Sequence, residues 1–416
     1  MKVSVENVAL VYIELPDANT EQDLYELKEL IATAQGDIKL YCTQKRDSID
    51  ANTVLGKGKL EELKRTIEMI DCDIDVVIFS CNLNSTQRAL LKKTLNCDVI
   101  DKIDLILDIF AMRATSAEGK KQVELAQLSY NLATKPEGNF SRQGAGIGTR
   151  GPGETKLETN KRLARDRIHK LKLELKEIEA HRTLTRKKRE ENGVFTVDLV
   201  GYTNAGKSTL FNRLTQSDVY ADDKLFATLD TTVRKTTLDN GVDILLCDTV
   251  GFIKNLPHTL INAFKSTLEE ATRADLLLNV CDASDENVAN HIATTEETLY
   301  ELGANAPLIR VYNKCDKIDG QFSIAIEPHN EVSSIFISAT TGKNIDALMD
   351  AIKKQVNNRY ATVKLRVPLA ESAKLLSTLH KFGAQSQSVE YFDEYAEMKI
   401  VISKKYVDLV ANYIVF

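Results

Sequence analysis

A chain of 416 residues is long enough for two to four domains, each able to bury its own core. Its 43% hydrophobic and 27% charged residues exclude wholesale disorder, and no apolar run approaches the roughly 18–20 residues of a membrane span. The net charge of −6 hides an asymmetry, because residues 141–190 hold 15 Lys and Arg against 7 Asp and Glu, a local +8 that leaves −14 elsewhere. One polyanion-binding element on an acidic protein is therefore expected, not a generally basic surface.

From residue 1 to 113 short apolar runs alternate with helical patterns. Strands are predicted at 8–15, 38–43 and 76–80, and helices at 23–33, 59–70 and 86–95. That alternation is the mark of a small α/β domain. Gly56-Lys-Gly-Lys59 sits before a helix and reads either as helix-start geometry or as an anion contact at the helix N-terminus.

From 114 to 192 the pattern turns to long helices. The first is predicted at about 117–132; in the second, Leu157, Ala164, Ile168, Leu171, Leu175 and Ile178 step by 7, 4, 3, 4 and 3, a narrow seam suited to an antiparallel hairpin. Between them, residues 134–153 carry six of the chain's 19 glycines. A connection of that length and composition points to function, and Arg142, Arg150 and the basic runs 161–170 and 182–189 make it an arm for RNA phosphate. A second α/β pattern fills 193–360 and opens with a strand at 194–200; residues 361–416 read strand, helix, strand, strand, helix. The seven cysteines are scattered and never spaced Cys-x-x-Cys, so neither a disulfide framework nor a zinc site is signalled. With no apolar leader at its start, the protein is expected in the cytoplasm as a monomer; peripheral membrane association stays open.

The strongest chemical signal is Gly201-Tyr202-Thr203-Asn204-Ala205-Gly206-Lys207-Ser208, placed between a strand and a helix. Its spacing is that of a phosphate-binding loop: backbone N–H groups face the β-phosphate, Lys207 bridges the β- and γ-phosphates, and the Ser208 hydroxyl ligates Mg²⁺. Forty residues on, a strand ends in Asp248-Thr249-Val250-Gly251, where Asp248 serves the Mg²⁺ shell through water and the Gly251 N–H contacts the γ-phosphate. Phe226-Ala227-Thr228-Leu229-Asp230 lies in a Thr-rich loop, and Thr228 is the expected second Mg²⁺ ligand, with Thr231 and Thr232 as competitors. Asn313-Lys314-Cys315-Asp316 follows another strand. A carboxylate at Asp316 accepts from guanine N1–H and its 2-amino group, which adenine does not offer, while Asn313 braces the loop and the Lys314 stem covers the base. Ser338-Ala339-Thr340 offers a backbone N–H to guanine O6. Motifs in this order identify GTP as the ligand and Lys207, Thr228 and Gly251 as the catalytic set.

Two positions carry open readings. Phe252 stands where Ras-like proteins place a water-orienting Gln. It is either a core side chain or the sign of a slow enzyme completed by a large partner. Asn204 either braces its loop or coordinates an activating K⁺ against the phosphates.

Gly148-Thr-Arg-Gly-Pro-Gly-Glu-Thr155, the 201–212 stretch, Phe226–Asp230 and Asp248-Thr-Val-Gly-Phe-Ile253 together resemble the HflX family of translational GTPases. Leu107-Asp-Ile-Phe-Ala-Met-Arg-Ala114 and Gln122-Val-Glu-Leu-Ala-Gln-Leu128 extend the likeness. The resemblance implies a GTPase that binds the 50S subunit, touches 23S rRNA and splits stalled or idle 70S ribosomes under stress, hydrolysing GTP to GDP. In such a protein the glycine-rich arm, with Arg142 and Arg150, points at the peptidyl-transferase centre. The runner-up is a GTP-gated assembly or dormancy regulator that binds without splitting. Two departures stand out: Thr231 replaces a usual proline, and Thr340 a frequent lysine. The expected architecture is multidomain α/β. It comprises an N-terminal α/β domain (1–113), a basic helical hairpin (114–192), a Ras-like G domain with a doubly wound, mostly parallel sheet (193–360) and a small α+β domain (361–416).

Overall fold

The computed structural model describes residues 6–16, 20–134, 156–191, 194–216, 225–226, 228–253, 271–318 and 333–415. They form two compact units. The first runs to Lys176 and takes in the segment Lys224–Leu229, and the second holds most of the remainder.

In the first unit β1 (Glu6–Glu14), β2 (Gly36–Lys45), β3 (Val76–Phe79) and β4 (Asp98–Asp101) make a wholly parallel sheet in the order β2-β1-β3-β4. Helices α1 (Thr20–Thr33), α2 (Lys57–Met69), α3 (Ser85–Leu95) and α4 (Lys102–Arg113) connect and follow the strands. All four residues of β3 are buried, as a parallel strand covered on both faces requires. Capping boxes open α3 (Asn84 with Gln87) and α4 (Asp101 with Asp104), satisfying amides that the helix itself leaves unpaired. Strand β4 is only four residues long, too short for a periodic signal, and α4 is apolar around most of its circumference; no sequence pattern marked either. The helix after Gly56 begins at Lys57, and the Gly56 N–H is already donated to Gln44 Oε1 at 3.0 Å.

A buried charge cluster ties this unit together. Arg88 of α3 meets Asp101 Oδ2 at 2.9 Å and also pairs with Asp104, while the Tyr130 hydroxyl donates to Asp101 Oδ2 at 2.5 Å. Burial and the neighbouring Asp104 push the Asp101 carboxyl up, and Arg88 opposes them. Substituting Arg88→Met leaves two buried carboxylates without their counter-ion, so unfolding free energy should fall by about 3–5 kcal/mol. Denaturant titration measures it, and a loss below about 1 kcal/mol, the range of an exposed pair, rejects the assignment.

Helices α5 (Ala117–Thr134) and α6 (Lys156–Glu191) run antiparallel. Arg167 grips Glu124 with two bonds of 2.7 Å, Lys121 meets Glu174 at 2.9 Å, and Ala164 and Leu171 are buried in the seam. Beyond Thr134, the glycine-rich connection with Arg142 and Arg150 lies outside the described residues.

In the second unit, six strands take the order β10-β9-β8-β5-β7-β6. They are β5 (Phe195–Val200), β6 (Thr232–Thr237), β7 (Asp243–Asp248), β8 (Leu276–Asp282), β9 (Leu308–Asn313) and β10 (Ser333–Phe336). All pairings are parallel except that edge strand β6 runs antiparallel to β7. One face packs Val197, Leu199, Leu246, Leu278 and Val311 against Leu210 and Phe211 of α7 (Lys207–Thr215) and Leu348 and Ile352 of α9 (Ile345–Arg359). The other face carries Cys281 and Tyr312, packed with Val288 of α8 (Val288–Glu301). A three-stranded antiparallel sheet follows, β11 (Tyr360–Pro368), β12 (Gln385–Tyr391) and β13 (Tyr395–Ser403), in the order β11-β13-β12 with α10 (Leu369–Lys381). Gln385 accepts from the Asp243 N–H at 2.8 Å and donates to the Asp243 carbonyl at 3.2 Å, joining the two sheets. The predicted last helix is instead a 3₁₀ helix, Lys404–Tyr413, whose apolar Val407 and Val410 recur at the three-residue period of that geometry. Among the described residues no helix is long and apolar enough to cross a membrane.

Candidate nucleotide site

The loop from Gly201 to Gly206 leaves the C-terminal end of β5 and enters α7, the place where open α/β sheets bind ligands. Gly206 has φ +90°, and a Cβ there would come within 2.2 Å of Asn313 Nδ2, so glycine is required. That same Nδ2 donates to the Ala205 carbonyl at 2.9 Å, and Asn313 Oδ1 accepts from the Ala339 N–H at 2.9 Å. Asn313 thus links the phosphate loop to both base loops. Lys207 is buried, and its ammonium donates to the carbonyls of Gly201 (3.1 Å) and Tyr202 (2.8 Å).

The Ser208 hydroxyl donates to Asp248 Oδ2 at 2.7 Å, bringing together two hard oxygen donors of the kind Mg²⁺ takes. Thr249 Oγ1 donates to the Leu199 carbonyl at 2.7 Å, and Val250 is buried. Gly251 has no room for a side chain, since a Cβ would lie 2.9 Å from Lys207 Nζ and from Thr203 Cα. Beyond it the Phe252 N–H donates to the Gly201 carbonyl (3.0 Å) and its carbonyl accepts from the Thr203 N–H (2.8 Å). The Phe252 ring is 1% exposed.

On the base side, Lys314 has φ +61° and donates to the Asn204 carbonyl at 2.9 Å, while Asp282 Oδ2 holds the same ammonium at 2.7 Å. Asp316 is exposed, and the Ser338 hydroxyl holds its carboxyl below the usual range. The Ser338 N–H is taken by the Lys343 carbonyl at 3.1 Å, and Arg213 donates to the carbonyls of Ala339 (3.0 Å) and Thr340.

Three family models match in succession: the GTP-binding GTPase N-terminal region over residues 21–111, the GTP-binding GTPase middle region over 113–189 and the 50S ribosome-binding GTPase over 196–314. The GTPase HflX of Caldanaerobacter subterraneus is 46% identical over 363 residues, covering 86% of this chain and 83% of its own. That of Escherichia coli is 39% identical over 407 residues, covering 97% and 94%. The chain belongs to the HflX GTPase family.

Like its HflX relatives it is a GTP hydrolase with a guanine-nucleotide site on a P-loop GTPase fold. Among solved structures, a GTP-binding protein of Sulfolobus solfataricus in complex with GDP is 26% identical, with coverage of 84% of this chain and 98% of that one and a TM-score of 0.46.

Several further residues lie at or near the site without a clear local sequence signal. Asp282 ends β8 as Asp248 ends β7 and Asn313 ends β9, so a polar residue at the end of a parallel strand was the available signal. Arg213 and the His291 ring, stacked 3.8 Å from the Tyr202 ring, gave none. In the first unit Phe226 is 2% exposed and meets Phe110 of α4 edge to face, with centroids 4.7 Å apart. Thr228 is half-buried and Leu229 buried beside it in sequence; Ala227 lies outside the described residues. In the second unit Asp230 and Thr231 are half-buried, and Thr232 opens β6 opposite Asp248, which takes it out of the loop. Burial pushes the Cys281 thiol up to about 12; Cys247 is buried and Cys315 half-buried.

Burial pushes the Lys207 ammonium down to about 8, with Asp248 acting the other way. Phosphate oxygens favour its charged form and raise that value when nucleotide binds. Binding should therefore take up a proton above pH 8, and GDP affinity should fall as pH rises, by up to about tenfold per unit. Calorimetry in buffers of unlike ionisation enthalpy reads the uptake; a buffer-independent binding enthalpy above pH 8 rejects it.

Proposed function

We propose that this GTPase binds the 50S ribosomal subunit and separates stalled or idle 70S ribosomes, with hydrolysis of GTP to GDP releasing it. The observation that carries this reading is the exposed side of α6. Between residues 159 and 176 it presents Arg162, Arg165, Lys170, Lys172 and Lys176 against one exposed acid, Asp166. On a chain of net charge −6 such a stripe fits the phosphate backbone of RNA, and the family model over residues 196–314 is that of a 50S ribosome-binding GTPase. Arg142 and Arg150 extend the same contact to 23S rRNA in this reading.

GTPases in general work with Mg²⁺, which supplies Lewis-acid stabilisation of the phosphoryl charge. In this chain Ser208 would hold it, with Asp248 accepting from its water shell; Thr228 is the second ligand that the sequence motif leads one to expect. The phosphate loop, Lys207 and Gly251 orient the γ-phosphate, and the Asn313–Asp316 and Ser338–Thr340 loops select guanine. If Asn204 coordinates K⁺, hydrolysis is faster in KCl than in NaCl; equal rates leave it a loop brace.

The test is sucrose-gradient sedimentation of 70S ribosomes with this protein and a non-hydrolysable GTP analogue. Conversion to 50S and 30S peaks, with the protein in the 50S fractions, supports splitting. Intact 70S carrying the protein favours a GTP-gated regulator, and no co-sedimentation removes the ribosomal reading.

A further inference from the structure

Around Gly251 two residues, Lys207 and Thr203, converge. The position a Gly251 side chain would occupy is 2.9 Å from Lys207 Nζ, from Thr203 Cα and from Thr203 Cγ2. Lys207 is committed to the carbonyls of Gly201 and Tyr202, and the Thr203 amide to the Phe252 carbonyl. The Thr203 hydroxyl is different. Its residue is 6% exposed, yet among the described residues Oγ1 has no hydrogen-bond partner. The nearby Thr249 hydroxyl, also buried, is by contrast spent on the Leu199 carbonyl. A buried hydroxyl left unpaired is costly, and in a native protein a bound water, ion or ligand is one way in which such a group is satisfied. Thr203 belongs to the phosphate loop, and its Cα and methyl carbon lie beside Gly251, the glycine assigned to the γ-phosphate, so rotation about χ1 exchanges methyl for hydroxyl on that side. Phe252 contributes only a buried ring with no hydrogen-bonding group.

We propose that Thr203 is a further catalytic residue of GTP hydrolysis, its hydroxyl bonded to the γ-phosphate and the attacking water. A hydroxyl both donates and accepts, so it can donate to a γ-phosphate oxygen while accepting from the water. In the step itself the water oxygen bonds to the γ-phosphorus. The bond from phosphorus to the β,γ-bridging oxygen breaks and its electron pair stays on GDP. The water's proton passes to a γ-phosphate oxygen, which leaves as dihydrogen phosphate. The hydroxyl thereby takes up part of the water-positioning that Phe252 cannot perform.

This inference rests on reading Gly201–Ser208 as the phosphate loop. The experiment compares Thr203→Val and Thr203→Ser in single-turnover GTP hydrolysis and in GDP binding, with Mg²⁺ present. Valine keeps the shape and removes the hydroxyl; it should slow hydrolysis by about 10²-fold, as loss of one charge-stabilising donor does, with GDP affinity changed less than about threefold. Serine should restore most of the rate. A valine variant that hydrolyses within about threefold of the parent overturns the proposal. So does a serine variant slowed about 10²-fold against the parent, which would assign the effect to the methyl group and to packing; that outcome is read against the parent and stands even if valine fails to fold. Lys207→Ala in the same binding assay tests the phosphate-loop reading separately, since an unaltered GDP affinity there would remove that reading whatever Thr203 does.

Discussion

Asp316→Asn should cut GTP use, as kcat/KM, by about 10⁴-fold while raising that of xanthosine triphosphate. Guanine presents two donors, N1–H and the 2-amino group, and a carboxylate accepts both. The carboxamide turns one of its acceptors into an NH₂ donor that faces the guanine amino group, and two donors then oppose each other. Xanthine carries a carbonyl at that carbon and keeps N1–H, so it pairs with the carboxamide in both places. The geometry suits such a discriminator. Asp316 is exposed and held ionised by the Ser338 hydroxyl, so the base itself must desolvate it. Competition between GTP and XTP for a fluorescent nucleotide on parent and variant decides the matter. An unchanged guanine preference would show that Asp316 does not read the base.

Ribosomes should raise the GTP turnover of this chain by about 10³–10⁵-fold, the range that a partner-completed site reaches in other GTPases. The physical reason lies at Phe252. Its ring is buried at 1% exposure, and its backbone is bonded to Gly201 and Thr203, so it cannot orient water by rotating a side chain into the site. Intrinsic hydrolysis then depends on what remains, chiefly Lys207, Gly251 and the Thr203 hydroxyl, and should be slow. The stimulated rate should also weaken as salt rises, because the contact proposed for the basic face of α6 would release counterions from RNA. Phosphate release with and without 70S particles, at low and high KCl, measures both effects. Stimulation below about tenfold at saturating ribosomes would sink the idea.

Much of this molecule is written locally. A phosphate loop is eight consecutive residues with a strand before it and a helix after it, and its hydrogen-bonding groups are mostly backbone, so spacing alone specifies its chemistry. The seam of α6 is local for the same kind of reason, because a repeat of three and four is set by the helix turn; Ala164 and Leu171 are buried as that repeat requires. Buried strands such as β3 and β8 announce themselves as short apolar runs. The last helix reads as α in the sequence and is 3₁₀ in the structure, because the two patterns diverge little over ten residues.

Other features depend on which strands lie side by side, and that order is not encoded in any window of the chain. Asp282 reaches Lys314 because β8 and β9 are adjacent and Asp282 pairs in register with Asn313. Arg88 finds Asp101, Asp104 and Tyr130 from three other elements. Phe226 looked like one letter of a nucleotide motif, yet its ring is buried on Phe110, more than a hundred residues away in sequence. Ligand class, phosphate loop and the α/β character of the chain are legible in the residues alone, since these follow from backbone spacing and residue chemistry. Which polar atoms are already spent and which, like the Thr203 hydroxyl among the described residues, are not is set by tertiary contacts. Hydrogen-bond satisfaction is a property of neighbours in space, and burial makes each unspent group count.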